Sequence, residues 1–377
     1  MAPDDSSAVQ AQPPLKQKMA LGLKSLLRFA TGREAPVAAD MAQLFSSTDP
    51  AVDGDDCNHD CESCHISYPR GFKIDESDVL YGYVRGWSTH VIVATGKSDW
   101  VRDVEDEKGS VMEALGEAAD PTNGRLMISA SNMPTPSHKS DYSEPTTAIL
   151  LPAFTVIENI TPAAVPLLIS DYINHAPTST SPLGPITLPG SLSLPNLPDA
   201  QQVLARPSPH RALILLCSHK TRDARCGQSA PLLRKELERH LRPMGLYRDL
   251  DDERPGGVGI YFINHVGGHK YAANMMIYRR HDAFGVDAAE RAKLSPGEEL
   301  QIKKFTQEKI ETPVIDEAEA KGGEDEDVGA AQCIWLARVR PADCENIIKY
   351  TVLQGKVVKP GSQLRGGFDR GKGLLSW

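Results

Sequence analysis

Two rhythms alternate along this chain: short unbroken runs of β-branched and aromatic residues, and longer stretches with apolar residues three and four apart. Residues 89–95 read as a strand, 110–119 as a helix and 125–130 as a second strand. Residues 148–157 supply a further strand, which leads through Thr161-Pro162 into a helix reaching Ile173. The order then repeats. Residues 211–216 read as a strand and 231–241 as a helix with Pro231 near its start. Residues 258–264, 274–279 and 334–339 follow as strands, and Pro341 opens a helix over 342–350. Ile-Thr-Pro before the last helix of the first half mirrors Val-Arg-Pro before the last helix of the second. The pattern predicts an α/β protein built from two copies of one unit.

Composition marks out what lies around those units. Residues 1–50, rich in Ala, Pro, Ser and Asp, read as a disordered leader. Within it, 15–29 is basic and amphipathic, a surface helix or a mitochondrial presequence, the latter opposed by Asp4 and Asp5. An N-terminal α/β domain with a Cys-rich lead-in is expected over 51–175, and a Pro/Ser-rich linker over 176–208. A second domain is expected over 209–377, with an irregular acidic insert at 285–330. With 377 residues, of which 40% are hydrophobic, the chain has material for about two domains. The net charge of −9 argues against a nucleic-acid partner. No run of about 18 apolar residues exists to span a membrane. Seven unevenly spread cysteines fit a reducing compartment better than a secreted disulfide framework.

The chemistry concentrates after two of the strands. Cys217 and Cys226 form a C-x8-C loop past residues 211–216, and His265-Val266-Gly267-Gly268-His269 follows residues 258–264. Adjacent glycines each cost a helix interior about 1 kcal/mol, so the histidine pair belongs in a loop. If both strands share a sheet, the loops face each other and gather two thiolates and two imidazoles. That set suits zinc or an iron–sulfur cluster. Zinc pairs usually have about two to four intervening residues, so the wider cysteine loop favours the larger object.

C-x8-C followed by H-x-G-G-H resembles the fungal sucrase/ferredoxin-like family, which in turn resembles thioredoxin-like ferredoxins whose four cysteines hold a 2Fe-2S cluster. The resemblance takes in residues 270–274 and Leu364-Arg365-Gly366-Gly367 and covers 209–377 well. It implies a thioredoxin-like ferredoxin domain; the repeated pattern of elements places a thioredoxin-like half without ligands ahead of it, where Thr95-Gly96 stands in place of Cys217. The resemblance further implies that Cys217, Cys226, His265 and His269 ligate a 2Fe-2S cluster, histidines replacing the second cysteine pair. The expected function is proton-coupled electron transfer to an unknown redox partner protein, an electron carrier more than a turnover enzyme. The sugar-cleaving label finds no paired-carboxylate constellation to support it. A structural zinc module with the same four ligands is the competing reading.

Other residues are read more plainly. Cys57, Cys61 and Cys64 form a C-x3-C-x2-C cluster that offers metal binding or thiol-disulfide oxidoreductase chemistry, although Asp53, Asp55, Asp56 and Asp60 would raise the thiol pKa values. Arg222, Arg225 and Lys270 are candidates for stabilising a reduced cluster or guiding an acidic partner. His219 is read as superfluous; His210, His240 and His281 as surface residues; Cys333 and Cys344 as buried small hydrophobes. Leu375-Ser376-Trp377 resembles the terminal tripeptide by which clients dock onto the cytosolic iron–sulfur assembly targeting complex, which favours a cytoplasmic over a mitochondrial location.

Overall fold

The computed structural model describes residues 36–192, 202–287, 301–302 and 327–377. The amphipathic stretch 15–29 and nearly all of the acidic insert lie outside the described residues. The first half contributes β1 (Thr89–Ala94), helix α1 (Val111–Glu117), β2 (Leu126–Ser131), β3 (Thr146–Leu151) and β4 (Thr155–Ile160). Two strands, β5 (Ser191–Leu192) and β6 (Val203–Pro207), come next. The second half holds β7 (Ala212–Cys217), α2 (Ala224–Leu241), β8 (Tyr247–Arg248), β9 (Val258–Ile263), β10 (Met275–Arg280), β11 (Ala330–Leu336), β12 (Leu364–Asp369) and β13 (Leu374–Leu375).

The mixed α/β architecture is a doubled one. β1 pairs parallel with β2 and antiparallel with β3, which pairs antiparallel with β4. β7 does the same with β9, β10 and β11. Both halves thus have the thioredoxin-like strand order, β2-β1-β3-β4 and β9-β7-β10-β11. Each ends in a helical stretch opened by proline, at Pro162 and Pro341, and each carries one wide π turn. Three residues before each proline a non-glycine residue takes positive φ, Asn159 at 60° and Arg338 at 58°.

The halves are stitched into a single 13-stranded sheet where β2 meets β9 at Ser131 and Ile263. The junction is reciprocal. Asn132 N–H donates to Phe262 O at 3.2 Å while its side-chain oxygen accepts from Phe262 N–H at 2.7 Å. Asn264 bonds the two backbone groups of Ala130 in the same way, at 3.2 and 3.1 Å. Because β2 and β9 touch only at their carboxyl ends, the loops leaving β1 and β7 are brought together. One core also crosses the junction: Ile214 and Leu216 of β7 pack with α2, whereas Leu213 and Leu215 join Ile92, Trp87 and Trp335 on the opposite face.

Several expectations change. The helix predicted from 231 begins at Ala224, because Asp223 caps it by accepting from Arg225 N–H at 2.9 Å; Pro231 lies inside. Residues 148–157 are two strands joined at Pro152–Phe154, not one. Residues 270–274, which the resemblance takes in, begin within a tight turn at His269–Tyr271. The linker span is not structureless, since β6 extends the sheet beside β4. Residues 36–50 are ordered, with Leu44 and Phe45 fully buried and Val37 bridged to Leu375. Apolar residues in a polar context lead the composition astray there, because their partners lie more than 300 positions away.

Candidate metal centre

Three of the four expected ligands converge. Cys217 is the last residue of β7, and Cys226 occupies the first turn of α2, both buried. His265 follows β9, which runs parallel to β7 with Ile263 opposite Cys217. The ligand atoms of Cys217, Cys226 and His265 all lie within 4.8 Å of one another. His269 stands outside that set, exposed, with its ring 5.4 Å from that of His265. Gly267 and Gly268 adopt φ of +86° and +66°, a left-handed pair that only glycine takes without strain. A Cβ on Gly268 would also meet the guanidinium of Arg365 at 2.7 Å.

The donors are poised for a cation. The S–H of Cys226 and the neighbouring His265 ring hold the Cys217 thiol down to about 5. Cys226 is pushed up because it gives its proton to that thiolate and is itself buried. Its place at the N-terminus of α2 adds the helix dipole in favour of negative charge. Nδ1 of His265 is buried and has no hydrogen-bonding partner, which costs about 1–3 kcal/mol unless an electrophile takes its place. Two sulfurs and an unsatisfied imidazole nitrogen, with a second imidazole on an adjustable glycine turn, fit either a 2Fe-2S cluster or zinc.

The surrounding residues fix these donors. His219, set aside on sequence grounds, is completely buried; its Nδ1 accepts from His265 N–H at 3.2 Å and Nε2 faces Trp100 O at 3.0 Å. The loop after β1 grips the cysteine loop elsewhere too. Asp99 accepts from the N–H and hydroxyl of Thr221 at 2.9 and 2.8 Å, and Ser218 donates to Ser98 O at 2.7 Å. The half without ligands is therefore a wall of the site. Strand pairing puts Ala94, not Thr95, in the position of Cys217, because Ala94 ends β1 opposite Ser131 as Cys217 ends β7 opposite Ile263.

Arg365 is the buried cation that sequence reasoning passed over. It donates to Gly267 O at 3.0 Å and Asn274 Oδ1 at 2.8 Å and lies 4.2 Å over Trp335. Burial pulls it down to about 10. Arg222, Arg225 and Lys270, the cations singled out earlier, pair instead with Asp103, Asp223 and Asp78. Replacing His219 by Leu should strand the His265 N–H, at about 1–3 kcal/mol, and weaken metal retention about 10–100-fold. Thermal unfolding and the rate of metal loss to a chelator check this, with His219→Gln as a milder control. Unchanged retention in the leucine variant would mean the loop is held by other contacts.

A family model described as sucrase/ferredoxin-like matches residues 80–366. The chain belongs to the sucrase/ferredoxin-like family. Actin patches distal protein 1 of Saccharomyces cerevisiae is 31% identical over 249 residues, covering 62% of this chain and 75% of that protein. Altered inheritance of mitochondria protein 32 of Clavispora lusitaniae is 26% identical over 150 residues, 40% of this chain and 33% of that protein. The Debaryomyces hansenii protein of the same name is 41% identical over 66 residues, 18% of this chain and 20% of its own. No solved structure matches. The sucrase/ferredoxin-like match contains all four expected ligands and Arg365, and begins after Cys57, Cys61 and Cys64.

Other sequence readings sort by burial. Cys333 and Cys344 are fully buried, as expected, and burial raises both thiols. His210 is buried rather than on the surface, bonded through Nε2 to Tyr261 OH at 3.0 Å, and His240 is half-buried. His281 is exposed. Leu375 pairs in β13 with Phe368, Ser376 Oγ accepts from Gly367 N–H at 2.9 Å, and Trp377 stacks on Trp87 at 4.4 Å. Among the described residues no helix is long and apolar enough to cross a membrane.

Proposed function

We propose that this protein is an electron carrier whose 2Fe-2S cluster is held by Cys217, Cys226, His265 and His269. The observation that carries the reading is the convergence of two buried thiols and the unpartnered Nδ1 of His265, with His269 beside them. The bound cluster would supply one-electron reduction and oxidation. The residues do the rest. The dipole of α2 offsets part of what holds the proton on Cys226, and His219 fixes the backbone that carries His265. Arg365 keeps a positive charge near Cys217, and exposed His269 offers a ring nitrogen through which a proton exchanges with solvent.

A cytoplasmic setting, with a mitochondrial one as the alternative, accords with seven free thiols. The redox partner is a protein. Recognition of Leu375, Ser376 and Trp377 by an iron–sulfur assembly complex would require β13 to leave the sheet and Trp377 to leave Trp87. Anaerobically purified full-length protein should be coloured, with iron and acid-labile sulfide in equal amounts. Cys217→Ser and Cys226→Ser should each abolish the colour. A colourless protein with one zinc bound through these residues would replace the carrier by a structural module.

A further inference from the structure

The segment ahead of the family match carries half of a motif. Cys61-Glu62-Ser63-Cys64 has the spacing of a zinc-binding cysteine pair, and the sequence contains no second such pair. The fold supplies other donors from far along the chain. Cys61 N–H donates to Ala342 O at 2.9 Å, and the Asn346 side chain donates to the carbonyls of Asp56 and His59 at 3.1 and 2.8 Å. Lys359 pairs with Asp60 at 2.6 Å, which ties down one of the carboxylates that seemed set to disturb the thiols. These bonds lay the segment across the end of α2 and the turn that begins at Pro341.

There Cys61 Sγ lies 4.0 Å from Nε2 of His240. The donor atoms of Cys61, His240 and Glu345 all lie within 4.8 Å of one another. Donors on one tetrahedral zinc sit about 3.4–3.8 Å apart, given bond lengths of about 2.0–2.3 Å. Closing these three around an ion asks donor pairs to approach by about 1 Å, and Cys64, outside that set, must turn its Sγ from Ile66 O, 3.5 Å away. Nε2 of His240 accepts from the exposed Arg239 side chain at 2.9 Å and lies 3.3 Å from Glu236 Oε1, so its lone pair becomes available to an ion once that guanidinium swings aside. Cys64 stands alongside, in contact with Glu236. Cys57 takes no part; it is buried against Tyr350 and Val358.

We propose that Cys61, Cys64, His240 and Glu345 bind one zinc ion, a second metal site separate from the one formed by Cys217, Cys226 and His265. Each thiol releases its proton to solvent as its zinc–sulfur bond forms. Two thiolates and a carboxylate around a dication leave one excess negative charge, and the Arg239 guanidinium, 3.5 Å from Cys61 Sγ and shared with Glu236, lies beside it. Four protein donors make a closed, structural site. The ion staples the N-terminal segment to the end of the helix whose first turn, about 21 Å away, carries Cys226.

The test is zinc and iron analysis of the full chain, purified without chelator and desalted after incubation with zinc. About one zinc per chain is expected, lost in Cys61→Ser/Cys64→Ser while iron content and visible absorbance stay unchanged. Cys217→Ser should keep this zinc, which separates the site from any zinc bound at the other cysteine pair. Should the double variant fail to fold, exposed Glu345→Gln is expected to weaken zinc binding about tenfold or more at unchanged thermal stability of the zinc-free chain. A chain that takes up no zinc, zinc retained in full by the double variant, or affinity unaltered in Glu345→Gln would each overturn the proposal.

Discussion

Replacing His265 and His269 together by cysteine should lower the reduction potential by several hundred millivolts and remove its dependence on pH. The reason is charge. An oxidised 2Fe-2S core of about +2 with two thiolates and two neutral imidazoles is close to neutral overall, whereas four thiolates bring it to about −2. Adding an electron to a neutral site is easier, in the direction that separates Rieske centres, at about −150 to +300 mV, from plant-type ferredoxins, at about −400 mV. Reduction also raises the proton affinity of a coordinated imidazole. In the parent protein the potential should fall as pH rises, by about 59 mV per unit for each proton coupled to one electron. The exposed ring of His269 reaches solvent more readily than half-buried His265, so His269→Cys alone should remove most of that slope. Redox titration across pH reads both effects. A slope and midpoint unaltered in the double variant would sink imidazole ligation.

Lowering the pH from 7 to 5 should cost the fold about 2 kcal/mol for each of His90 and His210. His90 is completely buried, with Nδ1 3.0 Å from Tyr278 OH and Nε2 2.9 Å from Ser129 Oγ. Burial, and then the charge of Arg125, lowers it to about 3. Burial, with Arg248 beside it, lowers His210 to about 4. Both are neutral in the fold, while in the unfolded chain they take up protons below about 6.5. Between those values the unfolded state binds more protons, so stability rises with pH there: complete above about 6.5, it is lost as pH falls toward 4 and then 3. Two such groups matter against a total of about 5–15 kcal/mol. Denaturant unfolding at pH 7 and pH 5 measures the loss, and His90→Gln should reduce it by about 2 kcal/mol. An identical loss in that variant would mean His90 is protonated in the fold or bypassed by other groups.

Local patterns in the chain are enough to show the repeated units and to single out two loops rich in cysteine and histidine. Apolar runs at 212–216 and 258–263 fit strands buried on both faces, and C-x8-C and H-V-G-G-H each begin where such a strand runs out. Glycine pairs and apolar periodicity are local signals, legible because each depends on residues a few positions apart. The remaining features depend on contacts between distant positions. That the loop after β1 would clamp the cysteine loop follows from the short β2–β9 junction, which no propensity encodes. His219 and Arg365 gain their roles from burial beside His265 and Gly267, and a lone histidine or arginine in a sequence carries no mark of that. Likewise Cys61 meets His240 across 179 positions, a pairing created when chain packing brings two surfaces together and invisible to any spacing rule.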